Sequence, residues 1–155
     1  MTTSTHADDP CQIAIWKSEI TAGNHYFNRQ QFDDALRHYQ NAKTVACALF
    51  PHWSDTHAAV SAVVVSYHNL ADLYLQAKMP MQAGTELRDS HNFVINALRD
   101  EERYRPPATH PDQILVEQAQ TRMDALLRAA SRTYLALTQH LERYSDQSKQ
   151  AVVHH

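Results

Sequence analysis

The chain has 155 residues, 43% of them hydrophobic, and its 14 Lys and Arg against 17 Asp and Glu leave a net charge of −3. That length fits one domain, able to bury roughly two thirds of its unfolded surface. The charge balance lacks the basic footprint of a nucleic-acid binder, so no nucleic-acid partner is expected. With only two glycines, Gly23 and Gly84, the chain has no Gly-rich phosphate cradle, which removes most nucleotide-dependent chemistry.

The first residues, MTTSTHADDP, have neither a basic start nor an apolar core, so no signal peptide is expected and residues 1–8 read as a loose N-terminus. Asp9 before Pro10 is a helix start: a capping carboxylate, then a proline whose missing N–H costs nothing at that position. Ile13, Trp16, Ile20, Gly23 and Phe27 recur every three or four residues, predicting a first helix to about Asn28. Arg29–Gln31 turn the chain. A second helix from Phe32 carries Ala35, Leu36, Tyr39, Ala42, Ala46 and Leu49 inward and stops at Pro51.

Ser54 or Asp55 caps a third helix that reaches about Ala77. The run Val63-Val64-Val65 has strand propensity, but the helical period continues through it and no turn residues flank it. The longest apolar run, Ala58 to Val65, is broken by Ser61 and far short of a bilayer span, so no membrane association is expected. Pro80 opens a fourth helix with Ala83, Leu87, Val94 and Leu98 on its inner face, lasting to Glu102 or Tyr104. RPPATHP, 105–111, is the clearest loop. A long fifth helix follows from Asp112, with Leu126, Ala130, Tyr134, Leu137, Leu141 and Tyr144 predicted on one apolar stripe. Residues 9–144 therefore form a single helical domain, and 145–155 a loose polar tail ending in His154 and His155. Cys11 and Cys47 stand alone and read as small buried hydrophobes, which makes a reducing cytoplasm the expected compartment.

The first two helix pairs repeat one pattern at a shift of 48 residues, Gly23 falling on Ala71, Tyr26 on Tyr74, Ala35 on Ala83, Tyr39 on Leu87 and Ala42 on Ser90. Small residues at the first and third of these positions let antiparallel helices approach, and the aromatic fills the wedge beside them. A lone hairpin cannot bury its apolar face, so the two must stack. The segments GNHYFNRQQFDDALRHYQNA and NLADLYLQAKMPMQAGTEL resemble the tetratricopeptide repeat (TPR), with its small residue, aromatic and Ala-x-x-x-Tyr-x-x-Ala order. The spacing departs from the usual repeat of about 34 residues, and extra helical turns account for the difference. A degenerate third first-helix is expected in helix five, with Ser131 at the small position and Tyr134 at the aromatic one. The chain also resembles a small group of bacterial TPR-like proteins that carry a similar HNLAD stretch and bring no known activity. The expected fold is all-α: antiparallel hairpins stacked as a short TPR-like superhelix of about five helices, the last one long.

The resemblance implies a concave groove lined by helices one, three and five, for an extended peptide or a partner helix. On this sequence it places Lys17, Asn24 and Asn28 from helix one, His68, Asn69, Asp72 and Gln76 from helix three, and Arg128 and Arg132 from helix five. Asn24 and Asn69 match positions where carboxylate-clamp TPR domains hold a terminal carboxylate, but that clamp wants a lysine where this chain has Ile20. Arg128 and Arg132 supply bidentate charge instead. The plain alternative is that Asn69 and Asp72 fix helix register through hydrogen bonds.

His68 and Asp72, four apart, have a spacing that also suits a metal or small ligand, yet none of the 11 histidines lies in a His-Glu-x-x-His or Glu-x-x-His motif. No nucleophile elbow, cysteine–histidine signature or paired catalytic carboxylate is present in the sequence, so a non-catalytic protein-protein interaction module without cofactor is expected. The alternatives are a homodimer that covers an uncapped repeat face and a His-dependent metal or small-ligand binder.

Overall fold

Aspartates begin three of the helices. Asp9 accepts the N–H groups of Cys11 and Gln12, Asp55 that of Ala58, and Asp112 those of Ile114 and Leu115, each supplying an acceptor to a helix end that has none of its own. The computed structural model describes residues 9–153, with side chains through Tyr144. It contains α1 (Pro10–Asn28), α2 (Phe32–Leu49), a 3-10 turn (Phe50–His52), α3 (Thr56–Gln76), α4 (Pro80–Tyr104) and α5 (Gln113–Val153). No strand occurs among the described residues, and the valine cluster is the middle of α3. The expected loose N-terminus 1–8 lies outside the described residues, as do His154 and His155; of the expected tail 145–155, only the helical backbone to Val153 is described.

α1 pairs with α2 and α3 with α4, the second hairpin stacks on the first, and α5 lies along both α4 and α3. The 48-residue repetition is present in the backbone itself. Gln30 and Lys78 both take positive φ, 58° and 63°. Beside them the Gln31 N–H donates to Tyr26 O at 3.0 Å and the Met79 N–H to Tyr74 O at 2.7 Å. This is the Schellman ending of a helix, with a left-handed residue at the position where glycine is usual.

Packing repeats as well. Tyr26 joins Ala35 and Tyr39 in one cluster, and Tyr74 joins Ala71, Ala83 and Leu87 in another. A Cβ on Gly23 would collide with the Tyr39 ring, so the ring occupies the space a side chain would take. In the second hairpin the pair becomes Ala71 with Leu87: a slightly larger small residue meets a smaller large one. Side chains also tie the hairpins together. The Trp16 indole N–H donates to the buried Ser66 hydroxyl at 2.9 Å. Phe50 and Phe93 meet edge to face with centroids 5.0 Å apart. Lys43 of α2 pairs with Glu86 of α4 at 3.2 Å while lying over the Tyr67 ring of α3.

Two expectations are corrected. The buried line of α5 runs through Ala119, Met123, Leu126, Ala129, Thr133 and His140, whereas Tyr134 and Leu141 are 60% and 46% exposed. Hydropathy misplaced the stripe because two of its members are polar and satisfied within the fold. Thr133 lies 2.8 Å from His91 Nδ1 and donates back to its own helix, and His140 Nε2 donates to Pro80 O at 3.0 Å. Gly84 makes room for that imidazole, since a Cβ there would stand 3.0 Å from His140 Nε2. Cys11 is exposed rather than buried, and Cys47 is half-buried.

A left-handed conformation costs a non-glycine residue on the order of 1 kcal/mol. Gln30→Gly and Lys78→Gly are each expected to stabilise the fold by about 0.5–1 kcal/mol, a rise of about 1–4 °C in Tm for a domain of this size. Thermal melts of the two variants check this, and a fall in either shows that the turn is not held as described.

Candidate functional site

Where α5 passes α3, the helices part and leave a cleft of about 750 Å³. Its apolar lining comes from Ala71 and Leu75 of α3, Leu87 of α4 and Ala136 of α5. Polar side chains stand around these: His68 and Asp72 on one wall, Gln139, His140, Glu142, Arg143 and Tyr144 on the other. Helical spacing puts His68, Asp72 and Leu75 on one side of α3, and residues 136, 139, 140 and 143 on one side of α5. The His140–Tyr144 ring contact, centroids 4.6 Å apart, and the His140 bond to Pro80 fix the α5 wall against the start of α4.

Partial desolvation shapes the electrostatics of the α3 wall. His68 Nε2 is buried without a hydrogen-bond partner. Desolvation, aided by the positive charge of Arg132, holds the His68 pKa below its ordinary value, favouring the neutral ring. Asp72 is pushed the other way, its pKa raised by desolvation. The Asp72 charge also acts on Tyr39, whose pKa rises to about 12 through burial first and the Asp72 charge second. The Tyr39 hydroxyl donates to Asn24 Oδ1 at 2.6 Å. Asn24 therefore serves the first hairpin, satisfying a hydroxyl on an almost fully buried ring.

Of the residues expected to line the groove, His68 and Asp72 face the cleft. Arg132 is near enough for its charge to act on His68, and Asn24 bonds Tyr39 within the first hairpin, but neither lines the cleft. Lys17, Asn28, Asn69, Gln76 and Arg128 are not among the lining side chains. Asn69 is half-buried, and the other four are exposed. Sequence reasoning missed the whole α5 wall, Gln139 to Tyr144. The one usable signal was Gly84, a bare helix position one turn after Pro80 that accommodates a bulky neighbour. Among the described residues, no three His, Cys, Asp or Glu side chains converge as a metal site would require, and no helix is long and apolar enough to cross a membrane.

Residues 14–110 match the family described as "Protein of unknown function (DUF2753)". The chain belongs to the DUF2753 family. The match to DUF2753 takes in most of α1 and all of α2, α3 and α4, with the α3 wall of the cleft, and ends before α5 begins. No curated protein and no solved structure matches the chain.

The lowered His68 pKa makes stability depend on pH in a definite sense. The unfolded imidazole takes a proton near its ordinary 6.5, while the folded one resists. The His68 contribution is therefore complete above that value and lost as pH falls through it toward the lowered folded pKa. The Asp72 shift works oppositely, its window opening upward from 3.8. Melts of wild type and His68→Gln between about pH 7.5 and 5 are expected to diverge, with the wild type losing more Tm on acidification. Parallel profiles would show that His68 is not held neutral by the fold.

Proposed function

We propose that this protein is a non-catalytic, TPR-like binding module that takes an amphipathic peptide segment or partner helix into the α3–α5 cleft. The observation that carries the reading is the chemistry of that cleft: an apolar lining from Ala71, Leu75, Leu87 and Ala136 beneath polar groups of both charges. Such a surface seats apolar side chains below and polar ones at its edge, as helix-in-groove recognition requires. His68 stands on the α3 wall of that cleft, its ring held toward neutrality by desolvation and the Arg132 charge. Repetition of turn and packing at a 48-residue shift supports the TPR-like part of the reading.

Binding is read by selecting peptides on the immobilised protein and mapping the contact surface by amide-shift perturbation. Gln139 is exposed and lines the cleft, so Gln139→Trp obstructs it without entering the core. The variant is expected to keep the wild-type Tm and to lose affinity by at least about tenfold, or 1.4 kcal/mol. Peptides that bind the variant as well as the wild type, or that perturb a different face, would contradict the proposal.

A further inference from the structure

α5 presents a largely exposed face, on which Tyr134 touches the His91 ring of α4 with centroids 5.9 Å apart. α1 is covered by α2 and α3 by α4 through the small–large pairs, and the same pattern places Ser131 and Tyr134 of α5 where the earlier first helices have Gly23 with Tyr26 and Ala71 with Tyr74. Among the described residues no further helix follows to cover them. Leu127, Tyr134, Leu135 and Leu141 are consequently 48%, 60%, 56% and 46% exposed, all within a short length of one helix. Single exposed apolar residues are ordinary, but a concentrated stripe of large ones marks a contact surface.

The charges beside this stripe say what covers it. Leu135 has Arg128 seven residues before it and Glu142 seven after, two turns away in each direction on the same side of α5. Neither forms an ion pair with another described residue. A helix edge that reads Arg, Leu, Glu at equal spacing complements itself when two copies run antiparallel about a two-fold axis at the leucine. Leu135 then meets Leu135, and each Arg128 meets the other copy's Glu142. Ser131 and Thr138, short side chains on either side of Leu135, let the two helices approach.

We propose that the protein forms a symmetric antiparallel dimer through α5, with the axis at Leu135 and reciprocal Arg128–Glu142 pairs. Because Glu142 also lines the α3–α5 cleft, the second copy places an arginine at the cleft's edge. The dimer does not depend on what the cleft binds. A contact built on four large side chains along about 20 Å of helix is at the small end of specific interfaces, so dissociation in the micromolar range is expected.

Sedimentation equilibrium of the full chain across the micromolar range tests this. Wild type is expected to pass from monomer to dimer, and Leu135→Asp to remain monomeric at the same monomer helicity and Tm. Arg128→Glu and Glu142→Arg are each expected to weaken the dimer by about tenfold, and the double variant Arg128→Glu/Glu142→Arg to restore it. Wild type that stays monomeric throughout, a dimer unaffected by Leu135→Asp, or a charge reversal that is not restored would each overturn the proposal. The last outcome assigns the face to a different partner helix.

Discussion

A tyrosine ring stands where a side chain on α1 would otherwise be. With Gly23 bare, Tyr39 lies directly against the α1 backbone, and the first hairpin closes around that contact with Ala35, Tyr26 and Phe27. The second hairpin meets the same geometric demand with Ala71 against Leu87. Tight interiors tolerate little change in volume at such a crossing, so the combined size of each pair matters more than either residue alone. Once both crossings are set, the spacing of α1 to α4 follows, and α5 has only the combined surface of α3 and α4 on which to lie.

The cleft is a consequence of that placement. α5 is held against α4 by two polar contacts in its buried line, Thr133 to His91 and His140 to Pro80, and the apolar Ala136 and Leu137 join the second crossing between them. Around that anchor Gln139, Glu142 and Arg143 line an opening instead of sealing it. Desolvation on the facing α3 wall then shifts His68 toward neutrality and, although its side chain is exposed, Asp72 toward protonation. The DUF2753 match covers the wall that carries these two groups.

Helices one to four were legible because their signals agree at every level: aspartate or proline at the start, an apolar period of three and four, and a turn at Arg29–Gln31 repeated at Ala77–Met79. The left-handed residues in those turns were not legible, since Gln30 and Lys78 are not the glycines that usually mark such geometry. The register of α5 was lost for a related reason. Thr133 and His140 count as surface residues by polarity, yet both are buried because each finds a hydrogen-bond partner inside. On the candidate site, His68 and Asp72 stood out as polar residues beside an apolar stripe. Their counterparts on α5 did not, because an exposed wall of Gln, Glu and Arg has no periodic signature to distinguish it from solvated helix.

The fold rests on reciprocal sizes at the helix crossing, and a double-mutant cycle over Gly23→Ala and Tyr39→Leu measures that most directly. In wild type the added methyl meets the Tyr39 ring and is expected to cost about 1–3 kcal/mol of unfolding free energy by urea titration. In the Tyr39→Leu background the pair becomes that of the second hairpin, and the same methyl is expected to be neutral or to stabilise by up to about 1 kcal/mol, as alanine does in a helix. A coupling energy above about 1 kcal/mol is the predicted result. Additivity within about 0.5 kcal/mol would show that the two hairpins do not share one packing rule.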